Sequence, residues 1–150
     1  MVFVLLDNIR SLFNVGAIFR TADGAGVSKI FLTGITGKPP HREIHKVALG
    51  AEETVPWTYY KNPADLLKEF RKKDIPIFAL EATENSVPFD TVDYPETLCL
   101  IVGNEYNGIG EELLREADAV VHLPMRGKKV SLNVSVAFGI AAYEIMKSKK

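Results

Sequence analysis

The sequence predicts an α/β fold: a mostly parallel sheet with helices on both faces. Three observations carry this prediction. Short apolar runs alternate with helix-patterned segments along the whole chain. The runs "FVLL", "KIFLT", "IFAL", "LCLIV" and "AVVHL" are continuously apolar, as strands buried on both faces are. Helical segments stand between strands, so the connections are crossovers.

Each element has its own warrant. "VFVLL" (2–6) reads as the first strand. "NVGAIFRTADGAG" (14–26) reads as a helix, with Asn14 as N-cap and Gly24 or Gly26 as C-cap. "KIFLT" (29–33) is a strand and "HREIHKVAL" (41–49) a short helix or loose turn. "VPWTYY" (55–60) is β-rich but holds Pro56, which fits an edge strand or an extended loop. In "NPADLLKEFRKK" (62–73), Asn62 caps, Pro63 takes the first helical position, and Lys72 and Lys73 complement the negative helix end. "PIFALEA" (76–82) and "TLCLIVG" (97–103) are strands, "GEELLREA" (110–117) a short helix, and "AVVHLP" (119–124) a strand. Residues 131–146 form the last helix, capped by Ser131. That helix is apolar all round until Glu144, which predicts burial.

A length of 150 residues fits one domain, 1–150. The longest apolar run falls short of the ~20 residues a membrane span needs. With no signal pattern and one cysteine, Cys99, a cytoplasmic location is the default expectation. A net charge of −1 argues against coating nucleic acid by bulk charge. Two local basic patches remain: "KPPHREIHK" (38–46) and "RGKK" (126–129). No phosphate-binding G-x-x-x-x-G-K-[ST], no G-x-G-x-x-G after a strand and no G-x-S-x-G occurs. His41 and His45 are spaced for one helix face but lack an evident third ligand, so no metal is expected.

In open parallel sheets, ligands bind beyond the carboxyl ends of the strands. Three segments there carry unexplained polar residues. "NVGAIFRTADG" places Gly16, Arg20 and Gly24 at i, i+4, i+8, with Asn14 one and a half turns back. "LIVGNEYNGIG" puts Asn104 and Glu105 just past a buried strand. "LPMRGKKVSLNVSVA" puts Ser131, Asn133 and Ser135 at the head of an apolar helix, where polar groups cost free energy unless they find partners.

Taken together and in this order, these segments resemble the three motifs of the SpoU (TrmH-like) RNA ribose 2′-O-methyltransferases of the SPOUT superfamily. The resemblance runs from residue 7 to residue 146. It implies a C-terminal trefoil knot, a homodimer, S-adenosylmethionine as cofactor, and tRNA or rRNA as substrate. It implies Asn14, Arg20, Glu105, Ser131 and Asn133 as the catalytic set. The cofactor would be held by Leu80, Glu81, Ala82 and Thr83, by Val102, Gly103 and Asn104, and by Leu123, Met125 and Leu132. RNA would meet Arg20, Arg42, Lys46, Arg126, Lys128 and Lys129. Two other classes remain: a non-catalytic RNA-binding relative, and a nucleotide-binding α/β module.

Overall fold

The computed structural model describes residues 1–149; Lys150 lies outside them. Seven strands, β1 (Val2–Asp7), β2 (Lys29–Thr33), β3 (Trp57–Tyr60), β4 (Ile77–Leu80), β5 (Val87–Pro88), β6 (Leu98–Val102) and β7 (Ala119–His122), form one sheet in the order β3-β2-β1-β6-β4-β7-β5. Every pairing between these strands is parallel. The helices are α1 (Leu12–Ala25), α2 (Arg42–Ala48), α3 (Ala51–Thr54), α4 (Pro63–Lys72), α5 (Glu111–Glu116) and α6 (Val134–Met146). β3 lies at the sheet edge, where Pro56 placed it. The two-residue β5 and the 3-10 turn at Phe89–Thr91 have no periodicity long enough to announce them.

The two-faced burial explains the unbroken apolar runs. Val4, Leu6, Ile30, Leu32, Leu98, Leu100 and Val102 pack with α1, α2 and α6 on one face. Their chain neighbours Leu5, Phe31, Cys99 and Ile101 pack with Leu66, Leu67 and Phe70 of α4 and Leu113 of α5 on the other. Alternate side chains of a strand point to opposite faces, so a strand covered twice is apolar throughout. Cys99 is fully buried, and burial pushes its thiol well above the ordinary range.

Three expectations need correction. Asn14 does not cap α1. Ser11 does, accepting from Asn14 N–H, and α1 ends at Gly26 (φ 83°), which leaves Gly24 inside the helix. The last helix starts at Val134 rather than 131, and its cap is Asn133 rather than Ser131. Asn133 Oδ1 accepts from the N–H groups of Ser135 (2.8 Å) and Val136 (3.3 Å) and from Ser135 Oγ (2.6 Å). Three polar candidates at alternate positions, Ser131, Asn133 and Ser135, made the start ambiguous; a side-chain oxygen two residues before a free N–H decides it. α6 is also not buried all round. Phe138, Ala141, Ala142 and Ile145 face the core, while Val136, Ile140 and Tyr143 stand exposed. Apolar composition showed that this face needs covering, not that this chain covers it.

Candidate active site

The loops that follow β1, β4, β6 and β7 meet at one end of the sheet. The loop after β6 folds on itself: Asn104 and Gly108 exchange backbone hydrogen bonds, and Asn104 Oδ1 accepts from Tyr106 and Asn107 N–H. Gly103 and Gly108 permit this. A Cβ on Gly103 would lie 2.7 Å from the Gly108 backbone, and Gly108 has φ +68°. Glu81, past β4, reaches across and accepts from Ile109 N–H (2.7 Å). Asn104 Nδ2 donates to Asn8 O after β1 (2.8 Å).

These loops enclose a cavity of about 420 Å³. Its lining includes the predicted Leu80, Glu81, Ala82, Val102, Gly103, Asn104, Leu123, Met125 and Leu132, together with Glu105, Ser131 and Asn133. Thr83 is not in the lining. It closes a turn instead, its N–H donating to Ser86 Oγ and its carbonyl accepting the same hydroxyl. The sequence reading missed Tyr106, His122, Val130, Val134 and Ala137, which also line the cavity. The apolar ones, Val130, Val134 and Ala137, lie inside the third motif itself and could have been read from it. His122 Nδ1 is bonded to Ser86 Oγ (2.9 Å), a pairing across 36 residues that no local pattern signals.

A chain of polar side chains runs along the cavity's edge. Glu105 Oε1 accepts from Arg10 N–H (2.9 Å), and its Oε2 accepts from Ser11 N–H (2.8 Å) and Asn14 Nδ2 (3.0 Å). Asn14 Oδ1 in turn accepts from Asn133 Nδ2 (3.2 Å). Burial alone would raise the Glu105 pKa, but the N–H groups of Arg10 and Ser11 and the Asn14 amide outweigh it. The carboxyl therefore sits below its ordinary range and is ionised near neutrality. Glu105 is thus a fixed anchor whose oxygens are committed, and it acts on Asn133 through Asn14. The buried Asn14 amide has both ends used.

Arg20 and Ser131 differ from these. Ser131 is exposed at the cavity rim with no hydrogen bond among the described residues. Arg20 is exposed on α1, ~9 Å along the axis from Asn14, and lines none of the cavity. Of the glycines beside it, Gly16 is taken up by close packing against α2, while Gly24 is exposed and lies near the Tyr143 hydroxyl. Of the other basic candidates, Lys128 and Lys129 line a shallow pocket that shares Leu123 and Met125 with the cavity wall, and Arg126 is exposed in the same loop. Arg42 and Lys46 lie apart, on α2.

Residues 1–143 match the model of the SpoU rRNA Methylase family. The chain belongs to this family. It is 35% identical over 148 residues to a tRNA (guanosine(18)-2′-O)-methyltransferase of Aquifex aeolicus, covering 98% of this chain and 69% of that one. It is 33% identical over 147 residues to the 23S rRNA (guanosine-2′-O-)-methyltransferase RlmB of Blochmanniella floridana, again covering 98% of this chain but 58% of that one. An AdoMet-bound rRNA methyltransferase from Sinorhizobium meliloti superposes with a TM-score of 0.93 at 34% identity, over 99% of this chain and 57% of that one. The chain thus spans about three-fifths to two-thirds of the length of these SpoU relatives. No helix among the described residues is long and apolar enough to cross a membrane.

Proposed function

We propose that this chain transfers a methyl group from S-adenosylmethionine to a ribose 2′-hydroxyl of tRNA or rRNA. The observation that carries this reading is the strand-end cavity, with the Glu105–Asn14–Asn133 relay on its edge. The cavity fits the cofactor by size and chemistry: Leu80, Leu123, Met125 and Leu132 offer apolar walls for a base, among a small number of placed polar groups. The cofactor supplies a sulfonium-bound methyl group that is already electrophilic.

The protein's part is positioning. Asn133 and Asn14 hold the head of α6 and the loop after β6 in one register. Ser131, free at the rim, orients the incoming hydroxyl. Arg20 clamps the adjacent phosphate and stabilises the negative charge that develops on the 2′-oxygen as its proton passes to solvent water. A guanidinium stays charged in proteins, so an electrostatic role suits it better than that of a general base. Lys128 and Lys129, with Arg126, extend the RNA surface from the rim.

The same proposal includes a homodimer with a shared site. Val136, Ile140 and Tyr143 form an exposed apolar strip on α6, and α6 crosses α1 where Gly139 meets Thr21, beside Arg20. Pairing two such strips covers apolar surface and brings one subunit's Arg20 towards its partner's cavity. Knotted threading of the C-terminal third, typical of the SPOUT fold, belongs to this reading too. The test is calorimetry with S-adenosylmethionine combined with tritiated methyl transfer to tRNA and rRNA. Binding near micromolar, about −8 kcal/mol, and label at ribose 2′-oxygens are expected. Absence of cofactor binding by the assembled protein ends the reading.

A further inference from the structure

The strand-end cavity has an apolar rim. Tyr106, Val130 and Leu132 all line it and all stand exposed, Tyr106 by 83% and Val130 by 86%. Single exposed apolar residues are ordinary on a protein surface. These three share one cavity, and the free Ser131 lies between two of them in the chain. Tyr106 is the most telling. Its backbone is fixed: its N–H donates to Asn104 Oδ1 (2.9 Å), inside the loop that Asn104 and Gly108 close on itself. Its side chain is unclaimed. The hydroxyl has no hydrogen bond, and the ring pairs with no other aromatic ring among the described residues. The chain thus holds a flat apolar ring in solvent, one residue after the Glu105 anchor. The same rim has a basic flank: Lys128 and Lys129 line the shallow pocket that shares Val130 with the cavity wall.

We propose that Tyr106 is a stacking platform for the base of the methyl-acceptor nucleotide, so that this nucleotide is presented to the site unpaired. The inference rests on the reading that RNA is the substrate. What covers Tyr106 comes from outside the cavity, because a cofactor of drug size fills about 420 Å³ and its own base has the inner walls of Leu80, Leu123 and Met125. The cover has to be flat and apolar on its face yet tolerate lysines beside it, and a nucleobase on a phosphate chain has both properties. A second copy of the chain fits less well, since the exposed strip of α6 (Val136, Ile140, Tyr143) lines no part of this cavity. A ribose 2′-hydroxyl is already open to contact in the shallow minor groove of a paired helix. Reaching the hydroxyl alone would therefore need no aromatic ring. A base within a duplex has both faces covered by its neighbours, and only one swung out of the stack can lie on Tyr106. Stacking tolerates any base, so Tyr106 selects an unpaired acceptor rather than a sequence.

Two variants and two RNAs test this. Tyr106→Phe keeps the flat ring and Tyr106→Ala removes it. The assembled protein, with S-adenosylhomocysteine present, is titrated into a short fluorescein-labelled oligoadenylate and into the same strand annealed to oligouridylate, with anisotropy as the readout. Tyr106→Ala should bind the single strand about tenfold more weakly or worse, as loss of an aromatic partner does at a stacked base. Tyr106→Phe should bind it as the wild type does, and the duplex should bind wild type and Tyr106→Ala alike. S-adenosylmethionine affinity by calorimetry and the sedimentation coefficient should be the same in all three proteins. Lost cofactor affinity or a changed assembly in Tyr106→Ala would make the ring a cover for the cofactor or for a partner subunit, and overturns the proposal. So does equal binding of the single strand by wild type and Tyr106→Ala, an equal loss in Tyr106→Phe, or no binding by the wild type. Failure of the wild-type chain to methylate tRNA or rRNA counts against the function reading, while the oligoadenylate titration still decides the role of Tyr106.

Discussion

The edge of the strand-end cavity and the outer face of α1 hold residues from the same three motifs, yet the structure treats them differently. Glu105, Asn14 and Asn133 are tied to each other and to two helix ends, with every Asn14 amide atom used. Arg20 and Ser131 have no partner at all among the described residues. The difference separates groups that build a site from groups that act in it. A side chain tied into several hydrogen bonds is held in one place and orientation, and its loss is felt first as lost structure. An uncommitted charge contributes little to folding, because solvent already satisfies it, so its loss is felt as lost activity.

The sharpest way to break this division is Arg20→Ala. The expected outcome is a fall in kcat/KM for RNA of more than a hundredfold, ~2.7 kcal/mol of transition-state stabilisation. Cofactor affinity by calorimetry and the thermal midpoint should both stay near wild type. Arg20→Lys sharpens the point. Recovery of part of the rate would assign the role to charge, and no recovery would assign it to the two-pronged geometry of the guanidinium. Wild-type turnover in Arg20→Ala would mean that the active site is placed wrongly.

The exposed strip of α6 is the next test. Ile140→Glu puts a charge on the face proposed to pair. Sedimentation should shift from dimer to monomer, with loss of methyl transfer, since Arg20 could no longer reach a partner's cavity. A monomer that keeps full activity would show that the site is complete within one chain.

How much of this could be read from the sequence follows from the range of each interaction. The strands other than β5, and α4, are governed by local patterning and caps, and they stand where the sequence placed them; of the two readings of residues 55–60, the structure takes the edge strand. The members of the cavity wall other than Thr83 also come together as expected, because loops at the carboxyl ends of adjacent parallel strands must be neighbours. Contacts across many residues were not legible. Glu105 and Asn14 are 91 apart, Asn14 and Asn133 are 119 apart, and nothing in either segment says which amide meets which. Ser131 looked like the cap because Ser131 and Asn133 are equally good caps by type, and only backbone geometry chooses. The exposed side of α6 was misread for a different reason: an apolar face records that water is excluded, without recording which chain excludes it.

A smaller effect concerns the packing that holds α2 beside α1. A Cβ on Gly16 would lie 2.7 Å from Ile44 O and 2.9 Å from Val47 Cβ. Gly16→Ala gains up to ~1 kcal/mol in helix propensity but forces α2 outward, an overpacking cost of ~1–3 kcal/mol. A net loss in thermal midpoint is expected. Gly127→Ala, in a loop with nothing within 4 Å of its Cβ, is the control and should be close to neutral. Equal behaviour of the two variants would refute the close approach.

The smallest effect tests the committed side of the comparison through pH. The Glu105 carboxyl is held below its ordinary range by the N–H groups of Arg10 and Ser11 and the Asn14 amide, against the opposing pull of burial. A depressed folded-state pKa means that the unfolded chain takes up the proton first as pH falls. The stabilisation is therefore fully present above the unfolded carboxylate value, ~4.3, and is lost as pH drops through the lower folded value. Glu105→Gln removes this dependence. Its amide can still accept once, but its NH₂ group faces backbone N–H donors, so a loss of ~1 kcal/mol at neutral pH is expected for a partly exposed group. Chemical denaturation of both proteins at neutral pH and in mild acid measures the difference. The gap should narrow as acid protonates Glu105 in the wild type. A gap that stays constant from neutrality to below pH ~4 would show that the Glu105 hydrogen bonds do not depend on its charge, and the carboxylate would then be a spacer between Asn14 and the helix end, not an electrostatic anchor.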